Sequence, residues 1–320
     1  MRNTWKTLTQ TALSAAVLIG MGQMANAADR AYRIGYMVWD TTQPFYSNLM
    51  KGAKDTAKQE GVTLDIQGGQ ADLATEISVI QQFIAQKVDL ILVTASDPKG
   101  IVPGIKQANA AGIPIIAINT RVDTESGAKI ITYVGADDYA FGQIQGKLLV
   151  QAIGKDGRFA YIMGKLGMSP TINRKAGLED TLKNYPNVKM VAAQAADWDS
   201  TKALAVTQDF LSKYPQGAIN AILDQGPESV NGAMFAARQG RTDVKFMMGD
   251  YPANVRTAIL DGTIYGTVNQ DPTPQGVNGV KDAILWLEGH KNQVPQPNHY
   301  LPLPIVTKDN AKQYPPAWGN

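Results

Sequence analysis

Residues 34–66 read IGYMVWDTTQPFYSNLMKGAKDTAKQEGVTLDI and contain one complete unit of the predicted fold. Residues 34–38 are apolar on both faces, a helical stretch follows at residues 44–59, and residues 63–66 begin a second strand. A strand without polar alternation that is followed by a helix and another strand is typical of a parallel sheet covered on both sides. This stretch therefore predicts a strand–helix–strand crossover.

The same alternation continues along the chain and predicts an α/β fold with doubly wound parallel sheets. Helix boundaries are marked as well: Asp72 and Asp199 are predicted N-caps, and Gly61 and Gly112 are predicted to follow helix C-termini. Prolines crowd residues 295–316, which predicts extended segments with little helix. The further predicted strands are residues 90–94, 115–118, 131–134, 160–163, 190–193, 221–223, 246–248 and 266–268, with helical periods at 76–86, 141–153 and 201–213.

The first 27 residues predict a secretory signal peptide. Arg2 and Lys6 precede an apolar run at residues 12–20, and Ala25-Asn26-Ala27 matches an A-x-A cleavage site. The run is shorter than the roughly 20 residues that a helix needs to cross a bilayer, so a membrane anchor is the less favoured alternative. We expect cleavage near Ala27 and a protein that is soluble in the periplasm.

Charge and composition exclude several classes of function. Cleavage after Ala27 removes two basic residues, so the 30 basic and 28 acidic residues of the whole chain become balanced. A balanced charge favours neither nucleic acid nor an anionic membrane as a partner. The chain has no cysteine and only two histidines, His290 and His299, which predicts no disulfide framework, zinc site or histidine-based triad. A mature chain of about 290 residues predicts two lobes, and we expect a monomer.

Candidate ligand-binding residues follow the predicted strands, because ligands of parallel α/β sheets bind beyond the carboxyl ends of the strands. They combine aromatic rings, amides, carboxylates and a guanidinium. Sugars use this mixture: their C–H faces pack on rings, and their hydroxyls bond to carboxylates, amides and guanidinium groups. A single acid such as Asp40 or Asp199 is equally typical of a helix cap, so the recurrence of the mixture carries the prediction. The candidates are Trp39, Asp40, Gln43, Phe45, Tyr46, Asn119, Arg121, Trp198, Gln225, Asp250 and Gln270.

Enzyme motifs do not occur in the sequence. There is no G-x-S-x-G, G-x-G-x-x-G or H-E-x-x-H pattern. Residues 142–148, GQIQGKL, lack one spacer and the Ser/Thr of a phosphate loop, so we interpret them as a helix whose small residues pack closely. Asp137 and Asp138 could serve acid–base chemistry, but nothing marks a second partner. We expect a binding protein without catalytic residues, metal or cofactor.

Several elements, in chain order, resemble the ribose/galactose-type periplasmic binding proteins of ABC sugar importers, the type I family. The resemblance implies two Rossmann-like lobes joined by three crossing strands, near residues 133–134, 270–271 and Tyr300. The N-terminal lobe would be residues 28–133 with 271–299, and the C-terminal lobe 134–270 with 300–320. The matching elements are Pro44-Phe45-Tyr46, Gly112-Ile113-Pro114-Ile115, Arg174-Lys175-Ala176-Gly177, Ala196-Asp197-Trp198-Asp199, Leu260-Asp261-Gly262, and Gln270 with Gln275-Gly276.

The resemblance also implies roles for individual residues. It places an aromatic pair on Phe45 and Tyr46, a polar contact on Trp39, an opposite-lobe aromatic on Trp198, an acid on Asp250 and a hinge amide on Gln270. Trp198 would stack on the second face of a sugar ring.

Three departures from the family pattern bear on specificity. Asn119-Thr120-Arg121 stands where ribose-type members have Asp-Arg, the family's ligand arginine falls on Ile172 or Asn173, and its Asn-Asp pair falls on Gln225-Gly226. We therefore expect Asn173 at the site and a ligand other than ribose. Trp39 and Trp198 would narrow the cleft to suit a flat pyranose or a slim polyol.

The predicted function is the periplasmic substrate-binding component of an ABC transporter. The protein would close about its crossing strands on a neutral monosaccharide or sugar alcohol and deliver it to an inner-membrane permease. An alternative with the same fold is a periplasmic sensor that presents a bound sugar to a chemoreceptor or histidine kinase. A secreted glycosidase or other enzyme is a third class, which would require turnover of the bound sugar.

Overall fold

The computed structural model describes residues 31–319, and the predicted signal peptide lies outside this part of the chain. Strands and helices alternate through most of it. The strands are β1 (Arg33–Val38), β2 (Thr63–Gly68), β3 (Leu90–Thr94), β4 (Ile115–Ile118), β5 (Tyr133–Gly135), β6 (Asp156–Met163), β7 (Asn187–Ala195), β8 (Ala221–Asp224), β9 (Lys245–Gly249), β10 (Gly266–Val268), β11 (Asn298–Tyr300) and β12 (Ile305–Thr307). The helices are α1 (Pro44–Gln59), α2 (Leu73–Ala85), α3 (Val102–Ala110), α4 (Asp138–Ile153), α5 (Ser169–Leu182), α6 (Ser200–Lys213), α7 (Val230–Arg238), α8 (Ala253–Asp261) and α9 (Pro272–Leu287), and a short 3₁₀ helix spans Lys291–Gln293.

The strands form two six-stranded sheets with the same internal order. One sheet runs β11-β5-β4-β3-β1-β2, and the other runs β12-β10-β9-β8-β6-β7. The strand pairs are parallel except β10 with β12, which is antiparallel. In each sheet the chain starts inside, moves to one edge and then builds outward on the other side, which is the doubly wound order. The predicted α/β fold class is confirmed.

The chain passes between the two sheets three times. It leaves the first sheet after β5, returns to it between β10 and β11, and leaves again between β11 and β12. We call the first sheet with α1–α3 and α9 the N-terminal lobe, and the second sheet with α4–α8 the C-terminal lobe. The lobe bounds given above, residues 28–133 with 271–299 and residues 134–270 with 300–320, stay a prediction that this division of strands supports.

Both faces of each sheet are buried by helices. In β1, Tyr36 and Val38 pack in a core with Leu49 of α1, whereas Met37 packs on the opposite face with Phe83 of α2. The sheet of the C-terminal lobe is likewise covered by two separate cores. Burial on both faces removes the need for polar alternation, and this explains the apolar runs from which the strands were predicted.

The local signals act as the sequence predicts. The side chains of Asp72 and Asp199 each accept from a backbone N–H in the first turn of α2 or α6, at 2.8 Å. Residues 142–148 lie within α4, and a Cβ on Gly142 would stand 1.9 Å from the carbonyl oxygen of Arg174. The interpretation of this stretch as closely packed helix is confirmed, because only glycine allows α4 and α5 to approach this closely.

Candidate ligand-binding site

A cavity lies where the carboxyl ends of strands from both sheets meet. Its empty volume is about 360 Å³, including its opening to solvent. The start of α1 and the segments after β4, β7, β8, β9 and β10 all reach it. Its lining residues are Gln43, Phe45, Tyr46, Asn119, Pro170, Arg174, Trp198, Glu228, Asp250 and Gln270.

Aromatic rings stand on the walls of both lobes. Phe45 of α1 and Trp198 after β7 are partly exposed and line the cavity. Phe45 is fixed edge-on by Tyr46 at 5.3 Å and by Trp318 at 5.5 Å between ring centroids. Trp39 is 2% exposed and stands edge-on to Tyr46 at 5.8 Å, so it supports the wall from behind. The cavity thus offers flat apolar surfaces from both lobes.

A chain of hydrogen bonds links Tyr46 of α1 through Asn119 to Gln275 near the start of α9. The hydroxyl of Tyr46 donates to Oδ1 of Asn119 at 3.0 Å, and Nδ2 of Asn119 donates to Oε1 of Gln275 at 3.1 Å. Nε2 of Gln275 in turn faces Oε1 of Gln270 at 3.4 Å. These bonds fix which amide atoms remain for a ligand, so the wall is organised before any ligand arrives.

Arg174 places a buried guanidinium on the wall of the C-terminal lobe. Its Nε donates to Oδ1 of Asp138 at 2.9 Å, one terminal nitrogen donates to the carbonyl of Gln225 at 2.7 Å, and its Cζ lies 3.9 Å from the ring centroid of Phe141. Asp137, the neighbour of Asp138, is only the N-cap of α4. The two adjacent acids therefore have different roles, one at a helix terminus and one in a buried ion pair.

Three further buried carboxyl groups lie in this part of the C-terminal lobe, and two of them, Glu228 and Asp250, line the cavity with Arg174. Burial raises the pKa of Asp250 to about 6, although Arg174 acts in the opposite direction. Burial also raises the pKa of Asp224 to about 7, against hydrogen bonds from Ser229 and the backbone of Gly226. Burial together with the charges of Asp224 and Asp250 raises the pKa of Glu228 well above its ordinary value. A carboxyl group with a raised pKa accepts hydrogen bonds when ionised and donates one when protonated, and both states suit a ligand rich in hydroxyl groups.

Left-handed backbone occurs at three of the lining residues. Asn119, Trp198 and Asp250 have φ of 63°, 60° and 61°. Each directly or closely follows a strand, and a non-glycine residue in this region costs free energy. Strain of this kind is concentrated at binding sites, where it directs side chains that a relaxed backbone would point elsewhere.

Seven of the predicted site residues line the cavity, and five lie away from the lining. The seven are Gln43, Phe45, Tyr46, Asn119, Trp198, Asp250 and Gln270. Of the others, Trp39 supports Tyr46, Asp40 accepts from the backbone and hydroxyl of Thr42 in a turn, and Asn173 is a partly buried residue of α5. Gln225 is fully buried and bonds to the hydroxyl of Tyr161 and to backbone groups of the C-terminal lobe.

Arg121, the fifth of these residues, binds the third crossing between the sheets. Its guanidinium donates to Oδ1 of Asn298 at 3.1 Å and to the hydroxyl of Tyr300, and it lies 4.2 Å from the ring centroid of Tyr133. All four of these side chains lie in the N-terminal lobe, at β5, β11 and the loop after β4. The position of Arg121 after a strand suggested a ligand contact. In the structure its side chain lies beside the third crossing instead.

Sequence reasoning missed Pro170, Arg174 and Glu228 among the lining residues. The resemblance placed the family's ligand arginine on Ile172 or Asn173, but the structure puts Arg174 on the wall, and Ile172 is 51% exposed. Arg174 and Pro170 lie in a helix, and Glu228 lies four residues beyond β8, so the rule of strand ends did not reach them. The only signal was the Arg174-Lys175-Ala176-Gly177 element of the resemblance.

The lobes also contact each other around the cavity. The backbone N–H of Arg121 donates to Oγ of Ser169 in α5 at 2.7 Å. Nζ of Lys165, after β6, lies 3.4 Å from the carbonyl oxygen of Ala71 and 5.0 Å from the ring centroid of Trp39. Met168 is fully buried in the core that β1 and α1 form. These contacts join the lobes in a closed arrangement.

Residues 31–319 contain neither a candidate metal site nor a helix suited to span a membrane. Across this range no three His, Cys, Asp or Glu side chains are grouped so that they could hold a metal ion. None of the helices within it combines the length and the apolar character needed to span a membrane.

Two doubly wound lobes closed on a small polar and aromatic cavity define a two-lobe ligand-binding protein. The chain belongs to the family described as "Periplasmic binding protein domain", which matches residues 34–291. This is a family of binding proteins, in keeping with the absence of enzyme motifs from the sequence.

Relatives whose names or titles give a ligand match between 82% and 94% of the chain. The chain is 29% identical to the xylitol-binding protein of Mycolicibacterium smegmatis over 94% of its length and 86% of that protein. It is 28% identical to the ribose import binding protein of Bacillus subtilis over 82% of its length and 84% of that protein. Among solved structures, an ABC transporter periplasmic solute-binding protein from Actinobacillus succinogenes with bound D-allose superposes with a TM-score of 0.80 at 28% identity, covering 88% of this chain and all of that one.

Proposed function

We propose that this protein is the periplasmic substrate-binding component of an ABC importer and that it binds one neutral monosaccharide or sugar alcohol in the cavity between its lobes. The observation that carries this proposal is the lining itself, with Phe45 and Trp198 on opposite lobes and carboxylates and amides between them. The relatives named for xylitol and ribose, and the structure that holds D-allose, share ligands with many hydroxyl groups and no charge. These likenesses support the same ligand class here.

Direct contact with the ligand is assigned to the seven predicted residues that line the cavity, together with Arg174. Phe45 and Trp198 would pack on C–H faces, while Asn119, Asp250 and Gln270 would bond to hydroxyls. Oδ1 of Asp250 is buried without a hydrogen-bond partner among the described residues, and a ligand hydroxyl would remove that cost. We assign supporting positions to the five predicted residues away from the lining.

Binding is coupled to closure of the lobes. A ligand that contacts both lobes binds the closed form more tightly than the open form, so it shifts the population towards closure. The contacts of Lys165 and Ser169 with the N-terminal lobe would add to the stability of the closed form. An inner-membrane permease would then recognise the closed protein, which we propose is a monomer in the periplasm after cleavage near Ala27.

A thermal-shift screen tests the proposal. The mature protein is heated with pentoses, hexoses, deoxysugars and polyols, and a ligand that binds only the native state raises the Tm with its concentration. We expect at least one neutral compound to do so and to be recovered chemically unchanged. If none raises the Tm, or if the bound compound is turned over, the proposal is wrong.

Gene deletion separates transport from the sensor alternative. Loss of uptake of the identified ligand supports the importer component. Intact uptake with loss of a chemotactic or transcriptional response would assign the sensor role instead.

A further inference from the structure

The carboxylate of Glu228 occupies the space in which a side chain of residue 226 would stand. An ideal Cβ on Gly226 would lie 2.1 Å from one carboxylate oxygen of Glu228 and 3.2 Å from the other. The backbone of Gly226 is fixed, because its N–H donates to Asp224 and its carbonyl accepts from Gly249 at 3.0 Å. Glycine at this position does not leave a gap in the wall, since a residue two positions later fills it.

The charge of Arg174 acts on the Glu228 carboxyl, but the guanidinium makes its hydrogen bonds to Asp138 and to the carbonyl of Gln225. Glu228 and Asp250 both line the cavity, and Arg174 is the only basic side chain in the lining. Nε of Arg174 is bonded to Asp138 at 2.9 Å, in a pair whose side chains are 3% and 1% exposed. The guanidinium charge is therefore already balanced by an acid outside the lining.

Negative charge is unfavourable at this point of the wall. Burial, and with it the charges of Asp224 and Asp250, raises the pKa of Glu228, because these surroundings make a negative charge at this point of the wall unfavourable. A carboxylate or phosphate on a ligand would meet the same unfavourable surroundings.

We infer that Glu228 is a specificity-determining residue, which accepts hydrogen bonds from ligand hydroxyls and discriminates against ligands that carry a carboxylate or phosphate. This inference rests on the proposed function and extends it, because it assigns the choice between neutral polyols and sugar acids to one side chain. Gly226 is needed for the same discrimination, because any larger residue there would displace the carboxylate of Glu228.

The test uses matched pairs of probes that differ in one acid group. Xylitol and D-xylonate, D-ribose and D-ribonate, and D-galactose and D-galactonate are titrated calorimetrically at pH 8 against the wild-type protein and Glu228→Gln. In the wild type we expect at least one neutral probe to bind at least about a hundredfold more tightly than its acid. In Glu228→Gln we expect the neutral probe to bind about tenfold more weakly, because a charged acceptor is lost, and the discrimination against its acid to narrow about tenfold.

A second variant tests position separately from charge. Gly226→Ala retains every charged group, and its new Cβ meets only the carboxyl end of the Glu228 side chain, which can shift without moving the backbone. We expect it to weaken binding of the neutral probe about as much as Glu228→Gln does. The control is Glu60→Gln, which makes the same charge change at an exposed residue beyond the far end of α1 and should leave both affinities unchanged.

The outcomes separate this inference from the proposed function. Wild-type protein that binds none of the neutral sugars or polyols of the full screen overturns both. Wild-type protein that binds an acid as tightly as its neutral partner overturns the inference alone. The inference is also overturned if Glu228→Gln and Gly226→Ala leave the affinities and the acid discrimination of the wild type unchanged.

Discussion

The guanidinium of Arg174 and the carboxylate of Asp138 form an ion pair, 2.9 Å between Nε and Oδ1, in which both side chains are almost completely buried. Arg174 reaches the cavity from α5, whereas Asp138 begins α4. The pair therefore ties the cavity wall to the contact between these two helices. It also allows a cation to stand in the wall without leaving a net positive charge inside the lobe.

Removing one partner of this pair should be strongly destabilising. Asp138→Asn removes the counter-charge that is hydrogen-bonded to this buried guanidinium, and we expect the free energy of unfolding to fall by about 3–5 kcal/mol. Urea unfolding followed by circular dichroism measures the change. Glu179→Gln breaks the exposed pair with Lys175 and serves as the control, with an expected change within about 0.5 kcal/mol. Equal small effects of the two substitutions would contradict the prediction.

Stacking on Trp198 should contribute directly to ligand affinity. Trp198→Ala is expected to weaken binding of a neutral ligand found in the screen by about 1–3 kcal/mol, because ring contact and buried apolar surface are lost. Calorimetric titration measures the loss. Met234→Ala removes an exposed apolar side chain of α7 away from the cavity and should leave the affinity unchanged. Unchanged affinity in Trp198→Ala would remove this residue from the binding site.

The fold was predictable because its signals are local. The apolar run of β1, the caps Asp72 and Asp199 and the small residues of α4 each act within a few residues of their own position. Seven cavity residues were predictable for a topological reason: the carboxyl ends of parallel strands meet at one edge of a sheet, so residues after strands converge. Strand limits were less accurate, as for β5, which begins at Tyr133 whereas the prediction began at residue 131.

The remaining site residues depend on partners that are distant in the chain. Arg121 follows a strand, but its guanidinium finds Asn298, 177 positions later, and this partner draws it to the crossing. Arg174 lies inside a helix and is directed by Asp138 of another helix. Glu228 reaches the wall only because Gly226 leaves room for its carboxylate once the loop is folded. The sequence contains no recognisable motif or spacing that would reveal these three pairs of partners.

The contact of Lys165 with the N-terminal lobe should slow ligand release. Its ammonium group faces the carbonyl of Ala71 and the ring of Trp39, both across the cleft, so Lys165→Met removes contacts that join the closed lobes. We expect the dissociation rate to rise about two- to fivefold with little change in the stability of the empty protein, as for an exposed charged contact. Stopped-flow tryptophan fluorescence measures this rate. Lys202→Met, which breaks a pair with Asp197 inside the C-terminal lobe, should leave it unchanged.

The raised pKa of Asp250 should make the stability of the empty protein depend on pH. Its pKa is about 6 in the folded protein against an ordinary value of 3.8, so between about pH 4 and 6 the folded state binds more protons than the unfolded state. The free energy of unfolding therefore decreases as the pH rises through this range. Above this range the buried, ionised carboxylate of Asp250 keeps the free energy of unfolding lower. Asp250→Asn removes this cost, so its stability relative to the wild type should be lowest near pH 4 and should increase up to about pH 7.

Thermal unfolding of both proteins from pH 4 to pH 8 measures this difference. Asp72→Asn is a matched control, because hydrogen bonds from Thr75 lower the pKa of this exposed carboxyl, which places its effect on stability below pH 4. Between pH 5 and pH 8 the Tm of Asp72→Asn should therefore change with pH in the same way as that of the wild type. Parallel profiles of Asp250→Asn and the wild type over the whole range would show that Asp250 does not titrate within it, and the assignment of a strained, proton-binding acid to the cavity wall would then be wrong.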